Sequence, residues 1–563
     1  MVKKKTCRKY TLGIDFGTES GRCVLVEVGT GREVATATLN YPHGVIDETL
    51  PGTKKKLPHD WALQHPLDYL KVLETTVPAA LRSAKVKKED VIGIGIDFTA
   101  CTLIPVDAAG DPLCTQKKWA KHPHAWIKLW KHHAAQPQAD RINALAHKRK
   151  EDWIRYFGGK LSSEWMLAKV LQVIEEAPQV YDAADRFMEA ADWVILQMTG
   201  VEARNACTAG YKAQYVKGEG YPSKAFFKAL HPKMANFVEE KLSTDIRPIG
   251  RRAGGLTEAM AKRMKLVPGT AVAVANVDAH VSAPAATITG PGKMLMIMGT
   301  SICHILMGTK RKYVPGICGV VEDGVLEGYF GYEAGQSGAG DILAWFVNHC
   351  VPETYAREAR KRKISVHELL TEKAEKKAIG ESGVLALDWI NGNRSVLVDA
   401  GLTGLFVGMN MQTRPEDLYR ALVEALAFGT YKIINTLEAH GVPVKELYAC
   451  GGLPERNPFL MQTFADVTGR SIKISASAQT CALGAAMFGA VAAGASAGGY
   501  NSIKTAAKKM ARLKKQVFRP NRKRHDRYAP LYAEYERCHD WFGVGPDTVM
   551  KQLKRIKAEA SGA

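Results

Sequence analysis

Residues 11–28 have the sequence TLGIDFGTESGRCVLVEV, in which two apolar runs flank the short segment GTESG. Two β-type runs separated by a short loop that contains glycine predict a hairpin. Glycine lets a ligand approach the backbone closely, so the Gly17-Thr18 turn is suited to phosphate oxygens. Asp15 ends the first strand and offers the oxygen ligand that Mg²⁺ prefers, through water. For this turn alone, an ordinary surface hairpin is the alternative.

A second copy of the pattern favours phosphate binding. Residues 294–307 have the sequence MLMIMGTSICHILM and again place a Gly-Thr pair, Gly299-Thr300, between two apolar strands. Two such hairpins nearly half a chain apart indicate duplicated halves that close on one nucleotide.

A third glycine-rich segment completes the pattern. The strand predicted at 446–450 runs into the glycine pair 451–452, where a flat base has room against the backbone. Asn457 and Pro458 are typical of the start of a helix, and Gly469 is typical of its end.

These three motifs resemble those of the FGGY carbohydrate kinases. DFGT at 15–18 and MGTS at 298–301 resemble the two phosphate motifs of the family, and GGLPERNPFLMQTFADVTG at 451–469 resembles its adenosine motif. The family shares its ATPase fold with actin, hexokinase and the heat-shock chaperones. The resemblance implies an α/β, actin/hexokinase-like fold of two domains with the active site in the cleft between them.

The length of the chain agrees with this organisation, because 563 residues exceed one ordinary core. We expect an N-terminal domain over residues 1–270 and a C-terminal domain over 271–545, followed by a basic tail over 546–563. Residues 482–493 are mostly small and predict a closely packed helix that ends at Gly494, rather than a membrane span.

Five further segments resemble the branch of the family that phosphorylates L-ribulose. They are IDFTACTLIPVD (96–107), WIKLWKHHAAQPQADRI (126–142), GGKLSSEWMLAKVLQVIEEAP (158–178), CTAGYKAQY (207–215) and GYEAGQSGAGDILAWF (331–346). This resemblance implies ATP-dependent phosphorylation of L-ribulose to L-ribulose 5-phosphate, a step of L-arabinose catabolism. The chain departs from the family at Gln172, where a Trp is common, and we interpret the difference as subfamily variation.

The resemblance also implies roles for single residues. Asp278 follows a strand of small apolar residues and corresponds to the catalytic base, although such an Asp is otherwise often a helix cap. The expected sugar-binding residues are Ala100, Lys212, Asp278 and Glu333. The expected ATP-binding residues are Gly17, Thr18, Gly299, Thr300, Gly340, Gly451, Gly452 and Asn457. Asp15 is expected to steer the Mg²⁺ ion that accompanies ATP.

Composition limits the partners and the compartment. The net charge is +20, but the basic residues are spread in short groups without a nucleic-acid-binding signature, so we expect no nucleic-acid partner. Eleven scattered cysteines without CxxC pairs, and no N-terminal apolar signal segment, favour the reducing cytoplasm and no membrane partner. The histidine-rich segment 119–160 lacks zinc-type spacing, and a helix that packs Trp126 and Trp130 on one face is the preferred interpretation.

Other functions stay open at this point. Within the class, the alternative is a kinase for another pentulose or a polyol, similar to a D-ribulokinase or a xylulokinase. From other classes, the same nucleotide fold serves actin-like or chaperone-like binding ATPases, and a sugar-sensing regulator is a third option. The chain contains no P-loop and no protein-kinase motif set, so phosphate binding is assigned to the hairpins. The sequence does not fix the oligomeric state, for which a homodimer is the expectation.

Overall fold

The computed structural model describes residues 8–545 and 548–561, and its strands form two large mixed sheets. The strands before residue 278 are β1 (Tyr10–Phe16), β2 (Ser20–Glu27), β3 (Glu33–Asn40), β4 (Leu63–Gln64), β5 (Val91–Phe98), β6 (Leu103–Val106), β7 (Ile127–Lys128), β8 (Arg186–Glu189), β9 (Arg204–Asn205), β10 (Ile246–Arg247), β11 (Arg252–Gly255), β12 (Ala271–Ala273) and β13 (Asn276–Val277). The helices of this part are α1 (Pro66–Ala84), α2 (Gln136–Lys148), α3 (Met166–Glu176), α4 (Pro178–Ala183), α5 (Ala190–Thr199), α6 (Ala206–Ala213), α7 (Lys224–Leu230), α8 (Phe237–Lys241) and α9 (Glu258–Met264).

The first large sheet has the strand order β11-β12-β5-β1-β2-β3, and β13 pairs with the carboxyl end of β5. β1 pairs in parallel with β5 and antiparallel with β2. Both β1 and β5 are buried almost throughout, which agrees with their near-continuous apolar sequences. The parallel register places Asp15 beside Asp97 where the two strands end.

The rest of the chain forms the second large sheet and its helices. The strands are β14 (Lys293–Met298), β15 (Ile302–Gly308), β16 (Gly319–Glu322), β17 (Phe330–Gln336), β18 (Leu385–Leu387), β19 (Leu405–Val407), β20 (Glu446–Cys450), β21 (Ile472–Ser475) and β22 (Leu513–Phe518). The helices are α10 (Asp278–Ala285), α11 (Gly340–His349), α12 (Glu353–Arg362), α13 (Val366–Glu375), α14 (Pro415–Ala439), α15 (Gly452–Arg456), α16 (Pro458–Thr468), α17 (Thr480–Ala493), α18 (Ile503–Met510), α19 (Arg522–Gly543) and α20 (Val549–Ser561).

The second sheet repeats the plan of the first. Its order is β16-β17-β15-β14-β20-β21-β22. Strand β14 pairs antiparallel with β15 and in parallel with β20, as β1 does with β2 and β5. An antiparallel strand also ends the parallel side of each sheet, β11 in the first and β22 in the second. The predicted α/β class and the duplicated hairpins are thus confirmed.

Helix α17 packs on the first sheet although it lies late in the chain. A Cβ added at Gly13 of β1 would lie 1.7 Å from the carbonyl oxygen of Ala482, and one at Gly95 of β5 would lie 1.9 Å from that of Ala485. Glycines in the strands therefore let the helix backbone lie directly on the sheet. The predicted small-residue helix is confirmed, and it ends at Gly494 as expected.

Two expectations for the first part of the chain differ from the structure. Residues 271–277 include β12 and β13, which pair with β5, so the expected boundary at 270/271 falls inside the first sheet. The predicted helix through Trp126 and Trp130 is wrong. The segment contains β7, which pairs with β4 and β6, and this pairing between distant segments outweighs the helical spacing of the two tryptophans.

The expected basic tail contains helix α20. Its Lys551 Nζ lies 2.6 Å from Asp399 Oδ2, and its Lys554 Nζ donates to the carbonyl oxygen of Ala400 at 2.9 Å. The helix is therefore attached to the loop between β18 and β19. Within the described ranges, every helix is too short or too polar to cross a membrane.

Candidate active site

Three carboxylates meet at the carboxyl edge of the first sheet. Asp15 and Asp97 are neighbours on β1 and β5, and Asp278 opens α10 directly after β13. Arg22 Nε lies 3.2 Å from Asp15 Oδ2. Asp97 is fully buried, and no donor in the described part of the chain gives a hydrogen bond to either of its oxygens. Asp15 and Asp278 were predicted site residues, whereas Asp97 was not, although it lies near the end of a predicted strand in the same way as Asp15.

Burial and mutual repulsion raise the pKa values of this cluster. Burial raises the pKa of Asp278 to about 7, and the charge of Asp15 adds to the effect. The N–H of Ala279, which donates to Asp278 Oδ1 at 2.7 Å, opposes it. Burial, together with Asp15 and Asp278, raises the pKa of Asp97 well above its ordinary value. Strongly shifted carboxyls in a cleft are typical of functional sites, and a pKa near neutrality suits a general base.

The first phosphate turn is fixed by side chains of its own half. Gln64 Nε2 donates to the carbonyl oxygen of Thr18 at 2.7 Å, and Tyr41 donates its hydroxyl to the carbonyl oxygen of Gly17 at 2.9 Å. Trp130 Nε1 donates to Thr18 Oγ1 at 3.0 Å. Local sequence gave no signal for this role of Trp130, which lies 112 residues from its partner.

The second phosphate turn is fixed by the main chain. The N–H of Ala339 donates to the carbonyl oxygen of Thr300 at 2.7 Å, and the N–H of Gly340 donates to that of Gly299 at 3.1 Å. A Cβ added at Gly299 would meet no atom within 4 Å, so a ligand has open space on that side. The structure thus brings Gly299, Thr300 and Gly340 together at the start of α11, and their contact with ATP stays a prediction.

The predicted adenosine glycines adjoin this turn. Gly451 has φ of +97°, and a Cβ there would lie 2.5 Å from the carbonyl oxygen of Met298. Gly452 has open space around its Cβ position, and Leu453 Cδ2 would lie 3.8 Å from a Cβ at Gly340. The second turn and the starts of α11 and α15 therefore lie next to one another, with open space beside Gly299 and Gly452.

Asn457 lies at the far side of this region as a helix cap. Its Oδ1 accepts the N–H of Leu460 at 3.0 Å, and its Nδ2 donates to the hydroxyl of Tyr419 at 3.4 Å. The predicted helix after it is confirmed, with Pro458 first and Gly469 in the left-handed conformation at its end. Because the side chain is occupied by the cap, its expected contact with adenosine stays a prediction.

Lys212 of α6 and Glu333 of β17 form a buried ion pair between the two halves. Lys212 Nζ lies 2.9 and 3.0 Å from the two carboxylate oxygens of Glu333. The side chains are 2% and 5% exposed. Burial alone would raise the pKa of Glu333, but Lys212, His280 and Arg394 together outweigh burial and hold that pKa well below its ordinary value. The pair therefore stays charged at neutral pH.

Two neighbours of this pair were missed by the sequence analysis. His280 Nε2 lies 3.3 Å from Glu333 Oε2, and Arg394 Nη2 lies 3.5 Å from Glu333 Oε1. His280 is two residues after Asp278, so its position followed from the same motif. Arg394 lies in the irregular segment between β18 and β19, where no periodic pattern marked it.

Ala100 lies in the turn that follows β5 and is partly exposed. The next residue, Cys101, has φ of +60°, and its carbonyl oxygen accepts a hydrogen bond from buried Lys169 Nζ at 2.6 Å. Burial raises the pKa of the Cys101 thiol, and the nearby charge of Lys212 opposes this. The turn therefore borders the Lys212–Glu333 pair. The expected contact of Ala100 with the sugar stays a prediction.

Comparisons with known proteins agree with this geometry. Residues 10–283 match the N-terminal domain of the FGGY family of carbohydrate kinases, and residues 294–493 match its C-terminal domain. The chain is 56% identical over 550 residues to the ribulokinase of Halalkalibacterium halodurans, covering 98% of both chains. It is 56% identical over 556 residues to the ribulokinase of Geobacillus thermodenitrificans, covering 99% of this chain and 98% of that one.

A solved structure shows the same fold at low identity. The xylulose kinase from Rhodospirillum rubrum superposes with a TM-score of 0.77 at 20% identity, covering 94% of this chain and 98% of the other. The predicted two-domain kinase fold is confirmed. The duplicated hairpins, the carboxylate cluster and these matches lead to one conclusion: the chain belongs to the FGGY family of carbohydrate kinases.

Proposed function

We propose that this chain transfers the γ-phosphoryl group of ATP to the primary hydroxyl of L-ribulose, giving L-ribulose 5-phosphate in L-arabinose catabolism. The observation that carries the proposal is the identity of 56% to ribulokinases over 98% or more of the chain. The buried Lys212–Glu333 pair and the half-buried Asp278 give the site the charged groups that such a reaction needs.

Asp278 acts as the general base in this proposal. Its carboxylate accepts the proton of the primary hydroxyl while the oxygen attacks the γ-phosphorus. A pKa of about 7 leaves a large part of the group deprotonated at neutral pH and still basic enough to take a proton. Its hydrogen bond from Ala279 N–H fixes one carboxylate oxygen and leaves the other for the sugar.

Lys212 and Glu333 bind sugar hydroxyls in this proposal. Each already satisfies the charge of the other, so a hydroxyl that reaches them meets an oriented donor and an oriented acceptor. A site built to hydrogen-bond a hydroxyl rejects a sugar whose stereochemistry leaves the polar groups unpaired. Ala100 contributes space for the five-carbon chain, because its side chain is only a methyl group.

ATP occupies the two turns and the cavity beside them. Gly17, Thr18, Gly299, Thr300 and Gly340 surround the phosphates. Gly451, Gly452 and Asn457 border the adenosine. The support is the adjacency of the second turn to the starts of α11 and α15, and the open space beside Gly299 and Gly452, where a ligand can approach the backbone.

The carboxylate cluster fits a divalent cation. Asp97 is buried, and its two oxygens receive no hydrogen bond from the described residues. Asp15 lies beside it, and Arg22 contacts Asp15 through the oxygen Oδ2. Repulsion among the carboxylates, which raises the pKa of Asp97, is relieved by a positive ion. We propose that Asp15 and Asp97 hold Mg²⁺ through water. When bound, Mg²⁺ neutralises charge on the phosphates.

The test is an assay of ADP release across a panel of sugars. L-ribulose, D-ribulose, L-xylulose, D-xylulose and ribitol are compared with ATP and Mg²⁺, and the Asp278→Asn chain measures the background. We expect the highest kcat/KM for L-ribulose. A higher value for another pentulose or for ribitol assigns the enzyme to that substrate, and ADP release that no sugar stimulates contradicts a kinase function.

Two properties of the working enzyme belong to the same proposal. We expect it to act in the cytoplasm, because its phosphate donor ATP is available there. We also expect a homodimer, which light scattering at micromolar concentration checks against a monomer. Neither expectation affects the chemistry assigned to the cleft.

A further inference from the structure

Arg394 lies beside β15 and β17, between the second turn and the Lys212–Glu333 pair. Its Cδ is 3.1 Å from the position of a Cβ at Gly335, so the missing side chain at Gly335 makes room for the arginine. The neighbouring Ser395 Oγ accepts the N–H of Gly335 at 3.2 Å, which fixes the loop to β17. Arg394 Nη1 lies 3.9 Å from Cys303 Sγ on β15.

The register of β15 and β17 gives the position along the sheet. Cys303 pairs with Gly335, and Ile305 pairs with Glu333. Two residues of a strand span about 7 Å, so the Cδ of Arg394, beside Gly335, lies about 7 Å from the level of Ser301 in the second turn. The guanidinium reaches to 3.5 Å from Glu333 Oε1. The phosphoryl group must pass between the phosphate turn and the sugar, which is the interval that Arg394 occupies.

The guanidinium is also available for a ligand. Lys212 is paired closely with Glu333, and Arg22 is paired with Asp15 and with Gln479. The Glu333 oxygen at 3.5 Å and the Cys303 sulfur at 3.9 Å are both far from the Arg394 guanidinium for hydrogen bonds. Burial lowers the pKa of Arg394, but the nearby Cys318, Cys303, Glu164 and Glu333 together raise it, so the guanidinium stays charged. Its side chain is 29% exposed. A planar guanidinium with free N–H groups is suited to phosphate oxygens.

We infer that Arg394 is a catalytic residue that contacts the transferring γ-phosphoryl group and stabilises its charge. The inference rests on the proposed kinase function. In the step, the bond between the sugar oxygen and the γ-phosphorus forms while the bond from that phosphorus to the bridging oxygen of ADP breaks. ADP leaves with the electron pair, the hydroxyl proton goes to Asp278, and Arg394 stays protonated throughout.

The test uses the full chain with Arg394→Gln and Arg394→Lys, and Arg360→Gln as the control. Arg360 lies exposed on α12 with Glu353 as its partner, outside the cleft. Removal of one preorganised donor at a transition state typically costs about 10²–10³ in kcat. We expect that loss for Arg394→Gln, a smaller loss for Arg394→Lys, which keeps the charge, and wild-type turnover for the control. The KM for sugar should stay within about threefold, well below the tenfold that 1.4 kcal/mol of binding gives.

A second readout separates transition-state contact from folding and sugar binding. ADP with aluminium fluoride and the sugar forms a mimic of the transferring phosphoryl group. Arg394→Gln should bind this mimic much more weakly than wild type while binding ADP alone equally well. Unchanged kcat, or a loss confined to the KM for sugar, overturns the inference in favour of no role or of hydroxyl binding. Equal affinity for the mimic in both proteins also overturns it.

The choice of sugar keeps this test apart from the test of the proposed function. The Arg394 variants are assayed with whichever sugar of the panel the wild type uses best. If that sugar is not L-ribulose, the substrate assignment fails and the Arg394 measurements still decide the inference. If the wild type phosphorylates no sugar, both fail.

Discussion

The proposed sugar end and the proposed nucleotide end of the cleft are built from different groups. At the proposed sugar end, charged side chains are buried and paired, as in Lys212 with Glu333. At the proposed nucleotide end, glycines leave the backbone open, and a Cβ at Gly299 or Gly452 would meet no atom within 4 Å. Side chains read a particular arrangement of hydroxyls, whereas backbone N–H groups bind any phosphate of the right shape. The two ends should therefore fail in different ways when they are altered.

The largest effect is expected at the junction of the two ends. Asp278→Asn keeps size and hydrogen bonding but cannot accept the proton, so kcat should fall by about 10²–10⁴. Binding of ATP and sugar should hardly change, as equilibrium binding of each will show. Asp107→Asn is the control, because Asp107 Oδ1 accepts the N–H groups of Ala109 and Asp111 in a surface turn. If the kcat of Asp278→Asn falls by no more than about threefold, far less than the expected decrease, the base is another residue.

The next effect concerns the buried ion pair. Lys212→Met removes the nearest partner of buried Glu333 and leaves it the longer contacts to His280 and Arg394, so the loss of stability should lie at or below the roughly 3–5 kcal/mol typical of a broken buried pair. Loss of a charged hydrogen bond to the sugar costs about 1.5–3 kcal/mol, so the KM for sugar should rise about tenfold to a hundredfold. Thermal unfolding and steady-state kinetics measure the two losses. The affinity for ATP should stay the same.

A second buried pair separates the two losses. Arg420 Nε lies 2.8 Å from Glu424 Oε1, and both side chains are less than 10% exposed. Arg420→Met should lose stability but keep the KM for sugar. If Lys212→Met keeps wild-type kinetics, or if Arg420→Met raises the KM for sugar equally, Lys212 does not bind the sugar.

At the proposed nucleotide end, Gly299→Val should weaken the binding of ATP and leave the fold intact. The new side chain meets open space in the protein but stands where phosphate oxygens approach. Loss of one charged hydrogen bond corresponds to about a tenfold to hundredfold lower affinity. Gly29→Val is the control, because a Cβ at Gly29 also meets no atom within 4 Å. Normal ATP affinity in folded Gly299→Val protein contradicts the assignment of this turn.

The smallest effect is a dependence on pH that only the junction should show. Burial raises the pKa of Asp278 to about 7, and the carboxylate is the active form. The value of kcat/KM should therefore be constant well above pH 7 and fall about tenfold per pH unit below it. The Lys212–Glu333 pair contributes nothing here, since its members stay charged. A flat profile from pH 5.5 to 8, or an acid limb that survives in Asp278→Asn, speaks against Asp278.

Local sequence was enough for parts of both ends. The two hairpins, the cap at Asn457 and the stop at Gly469 depend on residues within a few positions, and the structure has them as predicted. Asp97, Trp130 and Arg394 were missed because their roles depend on pairing with distant residues. The same cause explains residues 271–277, whose sequence resembles the start of a new unit but whose hydrogen bonds go to β5. Contacts between distant segments carry no local pattern.

Because α17 packs on the first sheet, this sheet stays incomplete until α17 has been synthesised. Gly13 and Gly95 leave bare backbone that this helix covers, and the helix is made about 200 residues after β13. At about 5–20 residues per second, translation takes roughly 10–40 s to supply it. The first half therefore waits on the ribosome with an uncovered strip along β1 and β5. Newly made chains should be most exposed to aggregation in that interval, and a chaperone that binds short apolar strands should meet them there.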